Sequence, residues 1–297
     1  MISIRSDINV KKAVLLGLFD GVHIGHQAAL KALCDTGADE KIVYTFRSSE
    51  VDTKGHRSFV LTDREKEHKL EEYGADRVYF ADFATVRDTS PEDFVKNTLK
   101  TEFGADVVLC GENFRFGKNA AGDAELLKSL CESCGMKSEI VELVHIDGET
   151  VSTTRIRALI ENGEMAEANE LLGYKYFFEG FVAHGMSLGR EMGIRTVNIP
   201  LTPRKVVPRF GVYSSDVIVT STGKRFKGIS NVGVKPTVSD SGEIGLETHI
   251  LGDVGDLYGE DIKVELKRFY RDEKKFSGVE ELTATINKDI DKRREED

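Results

Sequence analysis

Residues Gly17–His26 read GLFDGVHIGH, and they gather within ten positions what transfer of a phosphate-bearing group requires. His23 and His26 stand three apart, so both imidazoles can donate to one phosphate whose charge grows during displacement. Gly21 and Gly25 let the backbone turn tightly and come close to a nucleotide. A second stretch, VSTTRIRALIENG from Val151, puts Ser152, Thr153 and Thr154 at a helix start, where hydroxyls cap free peptide N–H groups. Arg155 and Arg157 follow in its first turn, where the helix dipole disfavours cations unless they face an anion such as a leaving pyrophosphate. The plainer alternatives are a turn with incidental histidines and a capped helix. Two of the chain's seven histidines in one four-residue element weigh against the first, and capping explains the hydroxyls but not the arginines.

These residues need a scaffold, and the first half supplies one. Apolar runs of strand length, Val14–Phe19, Ile42–Phe46, Val78–Phe80, Val107–Cys110 and Ile140–Leu143, alternate with helical patterns at Gln27–Leu33, Arg64–Tyr73, from Ser90-Pro91, and at Ala124–Cys134. Such alternation predicts a parallel sheet with crossover helices. GLFDGVHIGH then lies between a buried strand and a helix, where N–H groups near Gly25 and His26 make a phosphate seat at the strand's C-terminal end.

After helical patterns Ser152–Asn162 and Glu164–Leu172 the texture changes. Strand-like segments Phe177–Ala183, Gly211–Thr220, Phe226–Asn231, Gly245–Leu251 and Asp261–Phe269 follow, with TSTGK as a hairpin turn between two of them, and then one terminal helix from about Val279. This predicts a small antiparallel β-barrel. The expected domains are 1–174 and 175–297, in keeping with a length of 297 residues, near the limit for a single core. No internal repeat or low-complexity tract interrupts them.

Composition excludes several classes. A formal charge of −10 argues against nucleic acid, which needs clustered Lys and Arg; the terminal DIDKRREED mixes both signs and reads as the solvated face of a helix. No run approaches the ~18 apolar residues of a membrane span, and AVLLGLF ends in Asp-Gly rather than in a cleavage site. Four cysteines in so long a chain make no disulfide framework, which places the chain in the cytoplasm. Cys131 and Cys134 form a lone C-x-x-C at a helix end closed by Gly135, without the second pair a zinc site needs. Weak self-association is left open.

The His-Ile-Gly-His sequence is shared by class I aminoacyl-tRNA synthetases and small-molecule nucleotidylyltransferases. A synthetase needs a Lys-Met-Ser-Lys-Ser element; HGMSLGR from His184 has the Met-Ser but neither lysine. Over almost its whole length the chain resembles the prokaryotic bifunctional riboflavin kinase/FAD synthetase family. The resemblance rests on GLFDGVHIGHQ, SPEDF (Ser90–Phe94), GENFRFGKNAAGD (Gly111–Asp123) and STTRIR (Ser152–Arg157) in the first half. In the second it rests on GMSLGREMG (Gly185–Gly193), Thr196 and Asn198, NVGVKPT (Asn231–Thr237), Glu247, DLYG (Asp256–Gly259) and KKFSGVEEL (Lys274–Leu282).

The resemblance implies a Rossmann-like α/β FMN adenylyltransferase domain, then a riboflavin kinase barrel with a C-terminal helix, using ATP, riboflavin and FMN as substrates and Mg²⁺. It assigns catalysis to His23, His26 and Arg155 in the first domain and to Glu247, base for the ribityl hydroxyl, in the second. It assigns ligand binding to Phe19, Asp20, Gly21, Gly25, Asn113, Asp123, Ser152, Thr153, Thr154 and Arg157, and to Gly185, Gly189, Arg190 and Arg271. Thr196 and Asn198 would supply oxygen ligands for Mg²⁺. The chain departs from the family where Pro-Thr-Ala-Asn becomes Arg195-Thr196-Val197-Asn198, and where TFRSSEV (Thr45–Val51) replaces Pro-His-Pro. Two alternatives stay open: a monofunctional FMN adenylyltransferase with a flavin-binding or regulatory barrel, and a related transferase acting on phosphopantetheine or nicotinate mononucleotide.

Overall fold

The computed structural model describes residues 10–48, 50, 58–182, 196–201, 204–234, 244–252, 257, 259–274 and 276–296. The chain divides into two compact units, Met1–Thr153 and Thr154–Asp297. Helices Thr153–Asn162 and Met165–Leu172 thus fall largely in the second unit, ahead of its first strand.

In the first unit, strands Lys12–Leu16, Glu40–Phe46, Arg77–Ala81, Val107–Gly111 and Lys137–Val141 form one parallel sheet. In space their order is third, second, first, fourth, fifth. The first strand is apolar on both faces, because helices pack on both sides of a doubly wound sheet. It is also where the order reverses, so the crevice beyond the carboxyl ends of the first and fourth strands is the natural ligand site. The strand stops at Leu16, three residues before the expected Phe19. From there the chain enters a turn in which Phe19 has φ 54°, Gly21 φ 82° and Val22 φ 34°. The expected helix at Ser90-Pro91 starts with the Ser90 hydroxyl accepting the Asp93 N–H at 3.1 Å, then widens into a π-helix, Phe94–Glu102. Phe94, Val95, Leu99 and Phe103 all face the core.

The second unit is a six-stranded antiparallel sheet in the order Phe177–Phe181, Asp261–Arg271, Gly211–Val219, Arg225–Val234, Ile244–Ile250, Thr196–Pro200. Its outer strands approach each other: a Cβ added to Gly180 would stand 2.8 Å from Ile199 Cγ2, so the sheet curls into a nearly closed barrel. Small hydroxyls fill part of the interior, with the Ser230 hydroxyl 2.8 Å from Ser215 and 2.7 Å from Thr248. TSTGK is the expected hairpin, with Gly223 at φ 67°. Strand Thr196–Pro200 was missed in the sequence, since it follows a glycine-rich run and only Val197 and Ile199 face inward.

Helix Val279–Glu295 closes the chain. At its end Asp291, Lys292, Arg294 and Glu295 are exposed as expected, but one side is not. Asp289, Ile290 and Arg293 are buried, because they share the helix side carrying Ile286 and that side packs on Val212 and Ile229. Arg293 is 1% exposed; its Nε donates to the Ser215 carbonyl at 3.2 Å and its guanidinium pairs with Asp216. Removing one member of a buried pair leaves the other uncompensated. Arg225 stays 3.8 Å from Asp216 and offsets part of this. Arg293→Met is therefore expected to cost about 2–3 kcal/mol and to lower the second unit's melting midpoint by roughly 6–10 °C. An unchanged midpoint in a calorimetric scan would show that the helix is not anchored through this arginine.

Candidate functional site

The turn after the first strand leads into helix Ile24–Asp35, whose N-cap is His23. No side chain caps this helix and its first turn holds no acidic residue, so its leading N–H groups remain available to an anion. The two imidazoles stack, with ring centroids 3.6 Å apart and planes 19° from parallel. The edge of Phe19 meets His26 at 5.2 Å. Gly25 leaves room for this, since a Cβ there would lie 3.2 Å from the His23 ring. Gly17 does the same for Phe19, whose ring tip would be 2.7 Å from an added Cβ.

His23 Nδ1 and His26 Nδ1 are both buried without a hydrogen-bond partner. Buried polar atoms are rarely left so, and two of them side by side leave bonding capacity that a ligand could complete. Burial pulls the His23 pKa down to about 4. It holds His26 well below its ordinary range, helped by the charges of His23 and Lys66. At neutral pH both rings are uncharged, so they can offer an anion hydrogen bonds but no positive charge.

Asp20 braces the turn. Its Oδ1 accepts the N–H groups of Val60 at 2.9 Å and Leu61 at 3.3 Å, and its carbonyl accepts the Thr153 hydroxyl at 2.9 Å. The hydroxyl expected as a cap thus ties the start of helix Thr153–Asn162 to the turn. Phe19, Asp20, Gly21, His23, Gly25, His26 and Thr153 are brought together in the first unit. Arg155 and Arg157 fall in the second, where Arg155 meets an anion supplied by the chain, Glu167, at 2.7 Å, and Arg157 is buried. Asp123 caps helix Ala124–Ser133, accepting Leu126 N–H at 2.9 Å. Asn113 is exposed just after the fourth strand, in a turn where Phe114 stacks on Phe116.

The second unit carries a different kind of site. Cross-strand register sets Asn198 opposite Glu247, Glu247 opposite Asn231, Asn231 opposite Val212, and Val212 opposite Arg271. Directly opposed residues share a face, so one row of side chains crosses five strands. Along these strands Val197, Leu246 and Thr248 are buried while Asn198 and Glu247 are exposed. The row therefore lies outside the barrel, where its Glu247, Asn231, Val212 and Arg271 line a pocket with Thr196, His249 and Phe276, under Leu282, Ile286 and Asp289 of the terminal helix.

Sequence reasoning missed two groups here. Asp289 Oδ2 accepts Arg271 Nε at 3.1 Å and Nη2 at 2.8 Å, fixing the guanidinium at one end of the row. Glu273 Oε1 accepts the Asn231 amide at 3.0 Å. The helical spacing of Leu282, Ile286 and Ile290 signalled the inward face on which Asp289 sits; nothing in the sequence pointed to Glu273. Gly185, Gly189 and Arg190 lie outside the described residues.

Comparison with known proteins identifies both halves of the chain. The FAD synthetase family profile matches residues 5–155 and the riboflavin kinase profile residues 172–296. A Listeria monocytogenes bifunctional riboflavin kinase/FMN adenylyltransferase is 32% identical over 96% of this chain and 91% of its own. Its Escherichia coli K12 counterpart is 32% identical over 92% and 89%. The chain belongs to the bifunctional riboflavin kinase/FMN adenylyltransferase family. A solved Streptococcus pneumoniae structure described as a macrolide-efflux protein superposes with a TM-score of 0.84 and 29% identity, covering 97% of this chain and 95% of that one. Among the described residues no helix is long and apolar enough to cross a membrane.

Histidine burial has a measurable consequence. The folded-state pKa of His23 lies below the unfolded value of 6.5, so as pH falls the unfolded chain takes up the proton first and the fold loses stability. Stability from this group is complete above about pH 6.5 and falls towards pH 4, by about 3 kcal/mol in all. Melting curves between pH 8 and 4 should show a smaller acid-induced drop for His23→Asn than for wild type. Identical drops would mean that His23 is not held neutral by burial.

Proposed function

We propose that the chain phosphorylates riboflavin to FMN in its second domain and adenylylates FMN to FAD in its first, with ATP as the second substrate of both steps. The functional division falls at residues 1–174 and 175–297. The observation that best supports this reading is the contrast between the two sites. The first offers an uncapped helix start and two uncharged imidazoles, and the second an exposed carboxylate flanked by Asn198 and Asn231.

The contrast matches the chemistry. In adenylyl transfer an FMN phosphate oxygen attacks the α-phosphorus of ATP, and the bond to the bridging oxygen breaks to release pyrophosphate. That nucleophile is already ionised, so the site must orient it and stabilise charge, which peptide N–H groups and imidazoles can do. The resemblance assigns Arg155 and Arg157 to the departing pyrophosphate, a role for which Arg155 would have to exchange Glu167 for the phosphate. In the kinase step the ribityl 5′-hydroxyl must lose its proton; Glu247 accepts it as the γ-phosphoryl group moves and ADP leaves. Arg271, held by Asp289, bounds the flavin side of the pocket, and the Gly185–Arg190 segment takes the nucleotide phosphates. Thr196 and Asn198 offer two neutral oxygens on the outward face beside Glu247, a donor set suited to a hard cation that keeps several waters. Mg²⁺ bound there would offset charge on the ATP phosphates. Neither nucleic acid nor membrane takes part, and the free thiols fit a cytoplasmic setting.

The test separates the sites. Chromatography after incubation with riboflavin, ATP and Mg²⁺ is expected to show both FMN and FAD. In Glu247→Gln, FMN formation should fall about 10²–10⁴-fold while FAD formation from supplied FMN is unchanged. In His26→Ala, FAD formation should fall about 10²-fold and FMN formation should not. If both activities fall together in folded variants, the reading of two independent sites is wrong.

A further inference from the structure

Lys66 carries a charge that neither site's chemistry calls for. It is completely buried, and among the described residues no carboxylate stands within ion-pair distance of it. Burying an unpaired ammonium costs several kcal/mol, and a methionine would fill the same space without that cost. What the ammonium does is bridge two chain segments. Its Nζ donates to the Phe46 carbonyl at 2.6 Å and reaches the Leu18 carbonyl at 3.4 Å, and it lies 5.3 Å from the Phe80 ring centroid. Phe46 ends the second strand; Leu18 opens the turn that carries Phe19 to His26.

The geometry of the helix bearing Lys66 is fixed at its start. Thr62 and Glu65 form a reciprocal cap: the Thr62 hydroxyl accepts the Glu65 N–H at 3.3 Å and Glu65 Oε2 accepts the Thr62 N–H at 2.8 Å. The residues just before it, Val60 and Leu61, are the ones bonded by Asp20. Helix and turn are therefore joined twice, once by Asp20 reaching out and once by Lys66 reaching in.

We propose that Lys66 is a positioning residue of the adenylyl-transfer site, clamping Leu18 against Phe46 so that the turn presents His23 and His26 to the reacting phosphates. The proposal rests on the adenylyltransferase reading above. The groups that act electrostatically on Lys66 are Asp63 on its own helix, Asp20 in the turn, Arg47 after the second strand and the His26 ring. Burial, opposed by the two carboxylates, brings its pKa down to about 8. The clamp is charged at neutral pH and loses its proton in a range where the phosphates of ATP and FMN do not titrate. Lost charge weakens its bonds to both carbonyls.

The test is kcat for FAD formation from FMN and ATP, followed from pH 6.5 to 9.5, with riboflavin phosphorylation as an internal control. Wild type is expected to lose activity above about pH 8. Lys66→Met should lower kcat at pH 7 by about 10²-fold, the scale of a small misplacement of catalytic groups, with little change in KM for ATP and none in FMN formation. Lys66→Arg, charged throughout this range, should keep most of the activity and lose the alkaline decline. If Lys66→Met proves unstable, the arginine variant decides, because a purely structural lysine would not move the pH profile. A wild-type kcat in Lys66→Met, or the same alkaline limb in Lys66→Arg, overturns the proposal while leaving the adenylyltransferase reading intact. No FAD from the wild-type protein overturns both.

Discussion

Two imidazoles stacked face to face, buried and lacking partners for their Nδ1 atoms, are an arrangement that a protein fold does not hold cheaply. Each ring gives up hydration without a compensating bond, and the turn that presents them carries Phe19 and Val22 at positive φ, a conformation costing on the order of 1–3 kcal/mol per residue. The surroundings offset this. Asp20 binds two peptide groups from the segment before the next helix, Thr153 holds the turn from the other side, and Gly17 and Gly25 clear space for the rings. The sheet order places all of this at the reversal point beside the first strand, where a ligand can supply the missing bonds.

In the second unit the proposed reading requires a carboxylate beside a bulky planar substrate. Among the described residues its barrel interior holds buried Val, Ile, Ser and Thr side chains, and the polar row is displayed outside. An outward-facing row needs a cover, which the terminal helix provides. Arg293 anchors that helix to the sheet, and Asp289 reaches from it to hold Arg271. One helix thus stabilises the unit and completes the pocket.

Much of this was legible in the sequence. Alternating strand and helix patterns give the parallel sheet, and the texture change after Gly173 gives the barrel, because burial on both faces and burial on one leave different periodicities. GLFDGVHIGH stood out as a candidate phosphate seat because its residue types have few other uses together, and the fold brings them to one turn at the sheet's reversal point. What escaped notice depends on long-range partners. Lys66 sits in DREKEHKLEE, which reads as a solvated charged helix; only the fold shows that Lys66 and Lys69 are buried and that Lys66 reaches the carboxyl end of the second strand. Asp289 and Arg293 hide in a mixed-charge tail for the same reason. Arg155 met an anion as the dipole argument requires, yet that anion is Glu167, fourteen positions beyond Thr153, a pairing that follows from how two consecutive helices pack.

The central claim is that two independent sites on one chain act in sequence through free FMN. Its most direct measurement is complementation: His26→Ala and Glu247→Gln proteins are incubated with riboflavin, ATP and Mg²⁺, separately and mixed. The account predicts that the first makes FMN only, that the second makes almost nothing, and that the mixture makes FAD from riboflavin after a lag in which FMN accumulates. A mixture that forms no more FAD than either variant alone would contradict it.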